Sequence, residues 1–534
     1  MLPHTRNPEG RVERSATTLR LPAESRLRSR EGFGERSATI LRLPAESRLR
    51  SREGFGERSV PDRRKKPRAT TPRLRYNPLR KVTPQMKIEI VMSRPGEGNQ
   101  LKKQHAAAFS SANEQEEGSL VCIEDSCEYQ EIKGFGGAIT ESTAHVCNRL
   151  PAAQRRKAIK ALFDPKTGLG LTQCRLHINS CDFSLRNYAY DETDGDFALK
   201  DFSIEHDTRE IFPMVKAAEA AAGTKLWILA SPWSPPAWMK TTRKMNDGGK
   251  LRPECRKAWA EYYARYVLAC RENGIDIAAL TVQNEPKATQ WWDSCVYTAV
   301  EERDFLRDYL VPALRKAKLG DDVALYFWDH NKERAFERAA VMMSDKRAAK
   351  AVAGIGFHWY SGDHFEQLDM VRDRFPSLEL FGTECCTFLG DIDKDPWGQA
   401  ERYAHDISGD LNHGMSRWMD WNLMLDAKGG PSHVNNVANA PIRANADFTG
   451  FNPQPVYYAV AHFSRFIRPG ARRIGCSRFT QDIEATAARN ADGSFVAVLH
   501  NCTGADIPFN LRFRGQIAPV TLPAHAIATY TWKK

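Results

Sequence analysis

The chain has 534 residues and a formal net charge of +11, with 42% hydrophobic and 10% aromatic residues. This length and composition predict one large domain with a sizeable core and a smaller second domain. Residues 1–85 carry 22 basic and 9 acidic side chains, a net of +13, so the other residues sum to −2. A nearly neutral body argues against an electrostatic nucleic-acid surface on the folded domains.

The first 85 residues contain a tandem repeat. Residues 13–34 and 35–56 are copies that differ only in Thr18 against Ile40. Two copies are too few for a solenoid, and the arginine-rich composition with few large apolar side chains predicts disorder. This extension is either a basic arm for nucleic acid or anionic lipid, or a dispensable segment ahead of a later start at Met86 or Met92. We prefer the second interpretation.

Targeting and redox signals are weak. No apolar run reaches the roughly 18 residues that a membrane span needs, and the N-terminus lacks the apolar core of a signal peptide. The sequence as written therefore predicts an unexported protein, cytoplasmic by default unless its start is misassigned. The twelve cysteines form no CxxC repeat, so a zinc ribbon is not expected, and disulfides stay open.

From about residue 130, short apolar runs alternate with helical patterns eight times, which predicts a (β/α)8 barrel of the α/β class over residues 134–450. The helical patterns cover residues 152–163, 205–222, 256–273, 300–317, 365–374 and 400–412. The apolar runs are KGFGGAI, CRLHIN, KLWILASPW, AALTVQNEP, VALYFWDH, GIGFHWY, LELFGTECC and RWMDWNLML.

The last part of the chain changes character. Residues 451–534 alternate apolar and polar side chains between turn signals at 490–493 and 501–504. This pattern is typical of an antiparallel β-sandwich. Residues 115–133, before the barrel, are predicted to add a strand to the same sandwich.

Two carboxylates end predicted barrel strands. Glu285 ends the fourth run and Glu384 the seventh, 99 positions apart. Reactive groups of such barrels sit at the C-terminal ends of the strands, so the two side chains should meet at the barrel mouth. Either one alone could be a solvated loop residue. Together, with tryptophans near the same strand ends, they suit glycoside hydrolysis, in which one carboxyl is protonated and the other ionised.

Metal and nucleotide chemistry are not expected, and no cofactor is predicted. The spacing of the histidines matches no zinc signature. The Gly-rich run GFGGAI has Ile139 where a dinucleotide motif needs Gly.

The ordered motifs GFGGAIT, CDFSLRNYAYDET, LASPWSPPAWMK, TVQNEP, FHWYSGDH, TECC and WMDWNLMLDAKGGPSHV resemble glycoside hydrolase family 30, the glucosylceramidase family, over residues 115–534. The resemblance implies a barrel with a β-sandwich built from both ends of the chain. It also implies a retaining mechanism, with Glu285 as acid/base and Glu384 as nucleophile. Retention requires the two carboxyl groups about 5–5.5 Å apart.

The resemblance also implies supporting roles. Arg175 is expected to pair with Glu384 and keep it ionised, and Tyr360 to hydrogen-bond the same carboxylate. Asn284 is expected to hold the sugar 2-hydroxyl. The residues expected to clasp the sugar are Asp182, Trp233, Trp421 and, from the loop after the eighth strand, Asn436. The chain departs from the family pattern at Glu141, where Asp is common, and at Cys385, where a small residue is common.

The leading hypothesis is a retaining, exo-acting β-glucosidase of glucosylceramidase type that acts on a β-glucoside or glycolipid. The alternatives within the family are a β-1,6-glucanase and a β-xylosidase. A more remote alternative is a barrel that binds carbohydrate without cleaving it. The natural aglycone and the oligomeric state stay open.

Overall fold

The computed structural model of the protein describes residues 86–96, 98–111, 118–388, 390 and 394–533. The predicted disordered extension and its repeat lie outside the described residues. Within the described ranges, no helix combines the length and apolar character needed to cross a bilayer. All twelve cysteines fall in this part of the chain, and each of them is a free thiol.

Eight parallel strands close into a barrel in which each strand pairs with its neighbours in the chain and the eighth pairs with the first. Leu229, Tyr326 and Phe381 pack together as a buried apolar cluster of the strands. Strands covered on both faces read as continuous apolar runs, and the predicted (β/α)8 architecture is confirmed. The strands are Gly134–Ala138, Gln173–Ile178, Trp227–Pro232, Ile277–Thr281, Ala324–Asn331, Gly354–His358, Glu379–Glu384 and Met415–Asn422.

Helices surround the barrel, and two predicted helices, over residues 152–163 and 365–374, have the predicted bounds. The described α-helices are Glu141–Arg149, Ala152–Phe163, Glu205–Arg209, Ile211–Ala222, Arg256–Glu272, Ala299–Phe305, Val311–Lys316, Ala335–Met343, Lys346–Ala351, Phe365–Arg374, Pro396–Asn412 and Pro455–Ser464. A π-helical segment covers Leu306–Leu310, and short 3₁₀ turns cover Ala237–Met239, Pro253–Cys255 and Lys332–Arg334.

Two predicted helices are interrupted, and a proline explains each interruption. The helix predicted over residues 205–222 is two helices, Glu205–Arg209 and Ile211–Ala222, separated by the non-helical Glu210. Pro213 lies in the first turn of the second helix. Pro312 follows the π-helical segment within residues 300–317. Because a proline has no N–H to donate to the preceding turn, the regular α-helical hydrogen bonds end before it or give way to π-helical ones.

The sandwich is an eleven-stranded, mainly antiparallel sheet that draws strands from both ends of the described chain. Leu120–Ile132 lies between Ala471–Arg478 and Ile507–Phe513. Lys87–Ser93, which the sequence analysis left unassigned, pairs with Ile527–Trp532. The other strands are Lys102–Lys103, Ala107–Ala108, Ser110–Ser111, Ile483–Arg489, Phe495–Asn501 and Gln516–Leu522. A separate three-stranded sheet contains Met424–Leu425, Ile442–Ala444 and Phe451–Pro453.

The fifth barrel strand carries an irregularity that shapes the mouth. Its register with the sixth strand shifts between Trp328 and His330, and Trp328 and Asp329 have left-handed backbones, with φ of 72° and 49°. Neighbouring residues of a regular strand face opposite sides. A bulge removes that alternation, so Asp329 and His330 both reach groups at the barrel mouth.

Candidate active site

Two buried carboxylates stand at the C-terminal end of the barrel. Glu384 is the last residue of the seventh strand, and Glu285 follows the fourth strand, which ends at Thr281. Glu285 has a φ of 48°, and its backbone N–H donates to the carbonyl of Asp329 at 2.9 Å. Because a left-handed backbone is uncommon for glutamate, the neighbouring strand holds Glu285 in a conformation that the local chain would not favour.

The two carboxylates line one cavity of about 950 Å³, within the size range of small-molecule sites. Arg175 is fully buried behind the wall of this cavity. The other predicted site residues all lie on the wall itself: Asp182, Trp233, Asn284, Glu285, Tyr360, Glu384, Trp421 and Asn436. The fold therefore gathers residues from distant parts of the chain at one mouth.

Both oxygens of Glu384 are occupied by donors. Nη1 of Arg175 donates to Oε2 at 2.6 Å, and the hydroxyl of Tyr360 donates to Oε1 at 2.9 Å. A hydrogen bond between two ions is short and strong. The two donors therefore fix the orientation of the carboxylate.

Arg175 connects Glu384 to two further groups of the site. Its Nη2 donates to Asp329 Oδ2 at 2.7 Å and to Asn284 Oδ1 at 2.9 Å. Its guanidinium also lies 4.7 Å from the ring centre of Trp233. Burial disfavours a charged guanidinium, yet the charges of Asp329 and Glu384 raise the pKa of Arg175. The side chain is therefore a permanent cation at the base of the site.

Glu285 is surrounded by imidazoles and an amide. Nδ1 of His358 lies 3.2 Å from Glu285 Oε1, and Nδ1 of His330 lies 3.4 Å from the same oxygen. Gln290 donates to Oε2 at 3.1 Å. Burial raises the pKa of Glu285, but the two histidines outweigh it and hold that pKa well below the usual range. This environment favours ionised Glu285, whereas the sequence predicted a protonated Glu285.

His358 and Asp329 join the environments of the two carboxylates. Nε2 of His358 lies 3.1 Å from Asp329 Oδ1, so the imidazole bridges Asp329 and Glu285. Burial lowers the pKa of His358, but the negative charge of Glu384 and the contacts with Asp329 and Glu285 raise it to about 9. The sequence analysis assigned no site role to either residue, although both lie near predicted strand ends.

An aromatic and amide wall lies on one side of the cavity. Trp233 and Trp421 stack with ring centres 5.0 Å apart. Asn436 donates to Asp182 Oδ2 at 3.0 Å. Burial, with the charges of Glu384, Asp293 and Glu285 adding to it, raises the pKa of Asp182 well above the usual range despite the Asn436 hydrogen bond. These four predicted residues thus combine apolar faces with hydroxyl-binding groups.

The rim of the cavity combines exposed apolar side chains with the exposed polar residues Lys394, Asp395 and Asn435. Trp291, Phe388 and Val437 line the cavity with 61%, 54% and 47% of their surfaces exposed. Trp292 packs edge-on against Trp291 at 4.5 Å. Exposed large apolar side chains that cluster at a cavity mark a surface for a ligand.

The two departures from the family pattern lie in different places. Glu141 Oε1 is 2.7 Å from His206 Nε2, and Glu141 Oε2 accepts from the N–H of Leu185, both outside the cavity. Cys385 is buried and its thiol faces the carbonyl of Met419. Neither occupies the position of a catalytic group.

One group at the mouth could hold a metal ion. The ligand atoms of Glu285, His330 and His358 lie within 4.8 Å of one another. They come from three different strand ends, which is why linear spacing gave no zinc signature. An ion there would occupy Glu285 and compete with a substrate for the cavity.

Comparisons with known proteins agree with this fold. The family model described as "Glycosyl hydrolase family 30 TIM-barrel domain" matches residues 132–467. The model described as "Glycosyl hydrolase family 30 beta sandwich domain" matches residues 470–530. The "Lysosomal acid glucosylceramidase" of Mus musculus is 32% identical over 79% of this chain and 85% of its own length.

Two further proteins similar to this chain are a glucanase and a protein of known crystal structure. The "Endo-1,6-beta-D-glucanase" of Neurospora crassa is 31% identical over 71% of this chain and 80% of its own length. The crystal structure of SrfJ from Salmonella typhimurium superposes with a TM-score of 0.81 at 33% identity, over 84% of this chain and 100% of that chain. The chain belongs to glycosyl hydrolase family 30 and is a glycoside hydrolase.

Proposed function

We propose that the protein is a retaining, exo-acting β-glucosidase whose substrates are of the glucosylceramide type. The observation that carries the proposal is the contrast between two carboxylates on one cavity. Glu384 is bound by a permanent cation and a phenol, whereas Glu285 is bound by titratable imidazoles. A retaining glycosidase needs one carboxylate that stays ionised and one that gains and loses a proton.

In the first step, Glu384 attacks the anomeric carbon of the sugar while Glu285 delivers a proton to the departing glycosidic oxygen. The C–O bond to the aglycone breaks, and an ester bond to Glu384 forms. Because the imidazoles favour ionised Glu285, the proton reaches it from His358 or His330 across contacts of 3.2 and 3.4 Å. Glu285, His358 and His330, which contact one another at Glu285 Oε1, are called the Glu285 group.

In the second step, ionised Glu285 accepts a proton from a water molecule that attacks the anomeric carbon. The ester to Glu384 breaks, the sugar leaves with its original anomeric configuration, and the proton remains in the Glu285 group. The same histidines that disfavour a neutral Glu285 make this deprotonated base readily available. The cycle therefore returns every group to its starting state.

Asn284 is suited to bind the 2-hydroxyl of the sugar. Its Oδ1 accepts from Arg175 at 2.9 Å, so its amino group is the end available for a substrate oxygen on the cavity wall. A hydrogen bond to the 2-hydroxyl strengthens in the oxocarbenium-like transition state. Arg175 thus acts as a positioning residue for both Asn284 and Glu384.

The wall formed by Asp182, Asn436, Trp233 and Trp421 supports exo action on one terminal sugar. The indole faces suit the apolar face of a pyranose, and the carboxyl and amide groups suit its hydroxyls. At the rim, the apolar side chains Trp291, Phe388 and Val437 are exposed beside polar ones. Exposed apolar and polar groups together suit an amphipathic aglycone, and this is the argument for a glycolipid.

A β-1,6-glucanase is the second candidate, because a relative described as an endo-1,6-β-D-glucanase is 31% identical. A panel of glucosylceramide, aryl β-glucoside, aryl β-xyloside and β-1,6-glucan separates the candidates. We expect the highest kcat/KM on glucosylceramide and little release from the polymer. Faster cleavage of β-1,6-glucan would replace the proposed specificity with that of a glucanase, and faster cleavage of the xyloside with that of a xylosidase.

The retaining mechanism is tested by proton NMR of the product formed in the first turnovers of an aryl β-glucoside. We expect β-glucose first, followed by slow mutarotation to the α-anomer. Initial release of α-glucose would identify an inverting enzyme and would remove the covalent role of Glu384.

A further inference from the structure

A second cluster of metal-binding residue types lies in the sandwich, away from the residues that line the cavity. It consists of Glu484, His500 and Cys502, whose ligand atoms lie within 4.8 Å of one another. Glu484 and His500 are directly opposite each other on two antiparallel strands. Cys502 follows His500 by two positions, just beyond the end of the strand Phe495–Asn501, and its thiol contacts the His500 ring. The sheet therefore places a carboxylate, an imidazole and a thiol together.

The distances within this cluster match the requirements of a tetrahedral ion. Cys502 Sγ lies 3.5 Å from His500 Nδ1, and Glu484 Oε2 lies 3.1 Å from the same nitrogen. Around tetrahedral zinc, ordinary bond lengths separate sulfur from nitrogen by about 3.6 Å and nitrogen from oxygen by about 3.4 Å. The observed separations differ from these values by a few tenths of an ångström.

We propose that Glu484, His500 and Cys502 bind a zinc ion or a similar divalent transition metal. The donor set of thiolate, imidazole and carboxylate is one that zinc uses. Cys502 is exposed, so a water molecule can complete the coordination and the ion can exchange with solvent. Binding displaces the thiol proton and the proton at His500 Nδ1, and both protons leave to solvent.

Supporting groups surround the three ligands. His500 is 4% exposed, and its other ring nitrogen, Nε2, lies 3.2 Å from Glu401 Oε1. Once His500 Nδ1 has released its proton, the neutral ring has one N–H, at Nε2, which Glu401 is placed to accept, and the lone pair of Nδ1 is available to the ion. Metal-bound histidines commonly have such a carboxylate on the second nitrogen.

The remaining contacts link the cluster to the barrel. Glu401 belongs to the barrel helix Pro396–Asn412, and it also contacts His525 at 3.0 Å. His405, on the same helix, contacts Glu484 Oε1. The backbone N–H of Cys502 donates to the carbonyl of Asp482 at 2.9 Å, which fixes the loop. A bound ion would therefore join two sandwich strands to this helix through its ligands and their partners.

The proposal is tested by titrating the tag-free full chain, reduced and freed of metal, with Co²⁺ and then Zn²⁺. Cobalt bound by a thiolate gives an intense near-ultraviolet charge-transfer band, which the Glu285 group, without sulfur, cannot produce. We expect one equivalent of this band in the wild type, displaced by Zn²⁺. Equilibrium dialysis should show a corresponding equivalent of zinc, and the Tm should rise with added zinc.

Three variants decide the assignment. Cys502→Ser should lose the band and one equivalent of bound zinc, whereas Cys127→Ser, which removes another exposed thiol of the sandwich, should keep both. Glu401→Gln should weaken binding roughly 10–100-fold. Absence of the band in the wild type, its persistence in Cys502→Ser, or its loss in Cys127→Ser would overturn the site. Glycosidase activity is a separate readout, so failure here leaves the proposed function intact.

Discussion

The two carboxylates of the active site differ in the kind of group that surrounds them. Glu384 contacts a guanidinium and a phenol, and burial raises the pKa of Tyr360 well above its usual range. With their pKa values raised, Arg175 and Tyr360 both keep their protons at neutral pH. Glu285 contacts two imidazoles and an amide, and an imidazole, unlike a guanidinium, can gain and lose a proton.

The two residues are both glutamates, so their different roles, nucleophile and acid/base, follow from the groups that surround them. A carboxylate held by a permanent cation and a phenol is oriented for attack as a nucleophile. A carboxylate beside imidazoles changes its charge together with them, as an acid/base group must. Arg175, His358 and Asp329 form a chain of contacts between the two environments, so each change at one carboxylate should alter the other.

The largest expected effect comes from Glu384→Gln. We expect turnover to fall by at least about 10⁴-fold, since the covalent step is lost, while substrate binding persists. The measurement is kcat on an aryl β-glucoside together with binding of the intact glycoside by calorimetry. Glu379→Gln is the matched control, because Glu379 is a half-buried, ion-paired glutamate at the other end of the same strand. Near-normal kcat in Glu384→Gln would end the nucleophile assignment.

Glu285→Gln should lower kcat by about 10²–10⁴-fold on substrates whose aglycone needs a proton. The loss should be much smaller with a dinitrophenyl glucoside, whose leaving group departs as an anion without protonation. Steady-state rates across aryl glucosides of increasing leaving-group pKa provide the measurement. Equal losses across the whole series would contradict an acid role for Glu285.

His330→Gln should produce a smaller effect, visible in the pH profile. The contact with His330 is one cause of the lowered pKa of Glu285, so removing that contact should raise this pKa and keep Glu285 protonated to higher pH. The alkaline limb of the kcat/KM profile should therefore move to higher pH. His145→Gln, which removes a half-buried histidine paired with Glu210 outside the cavity, should leave the profile unchanged. A downward shift in His330→Gln would contradict the proposed coupling.

Trp291→Ala should have the smallest effect, confined to lipid substrates. Removing part of an apolar contact costs about 0.5–1 kcal/mol, or roughly a 2–5-fold increase in KM. We expect this for glucosylceramide in micelles and little change for a short aryl glucoside. Phe479→Ala removes an exposed aromatic ring elsewhere and serves as the control. Equal changes on both substrates would argue against an aglycone contact.

Much of the fold could be predicted because its signals are local. Apolar runs that end on polar residues marked the barrel strands, and their order placed Glu285 and Glu384 at one end. The alternation in Lys87–Ser93, with Ile88, Ile90 and Met92 buried, was also readable, and the sequence analysis missed it.

The contacts around Glu285 could not be predicted, because they depend on backbone irregularities. A regular fifth strand would send Asp329 and His330 to opposite faces. The bulge and the left-handed backbone at Asp329 bring both to the mouth, where one meets Arg175 and the other Glu285. No residue spacing in the sequence indicates such a bulge. The sequence therefore offered no reason to place His330 beside Glu285, and the histidines were judged only against zinc-binding patterns.

The most direct test of the account is covalent labelling with an activated 2-deoxy-2-fluoro-β-glucoside, followed by peptide mapping of the trapped protein. The account predicts one label per chain, attached to Glu384 and absent from Glu384→Gln. A label on Glu285 or on any other residue, or release of product without any trapped ester, would contradict it.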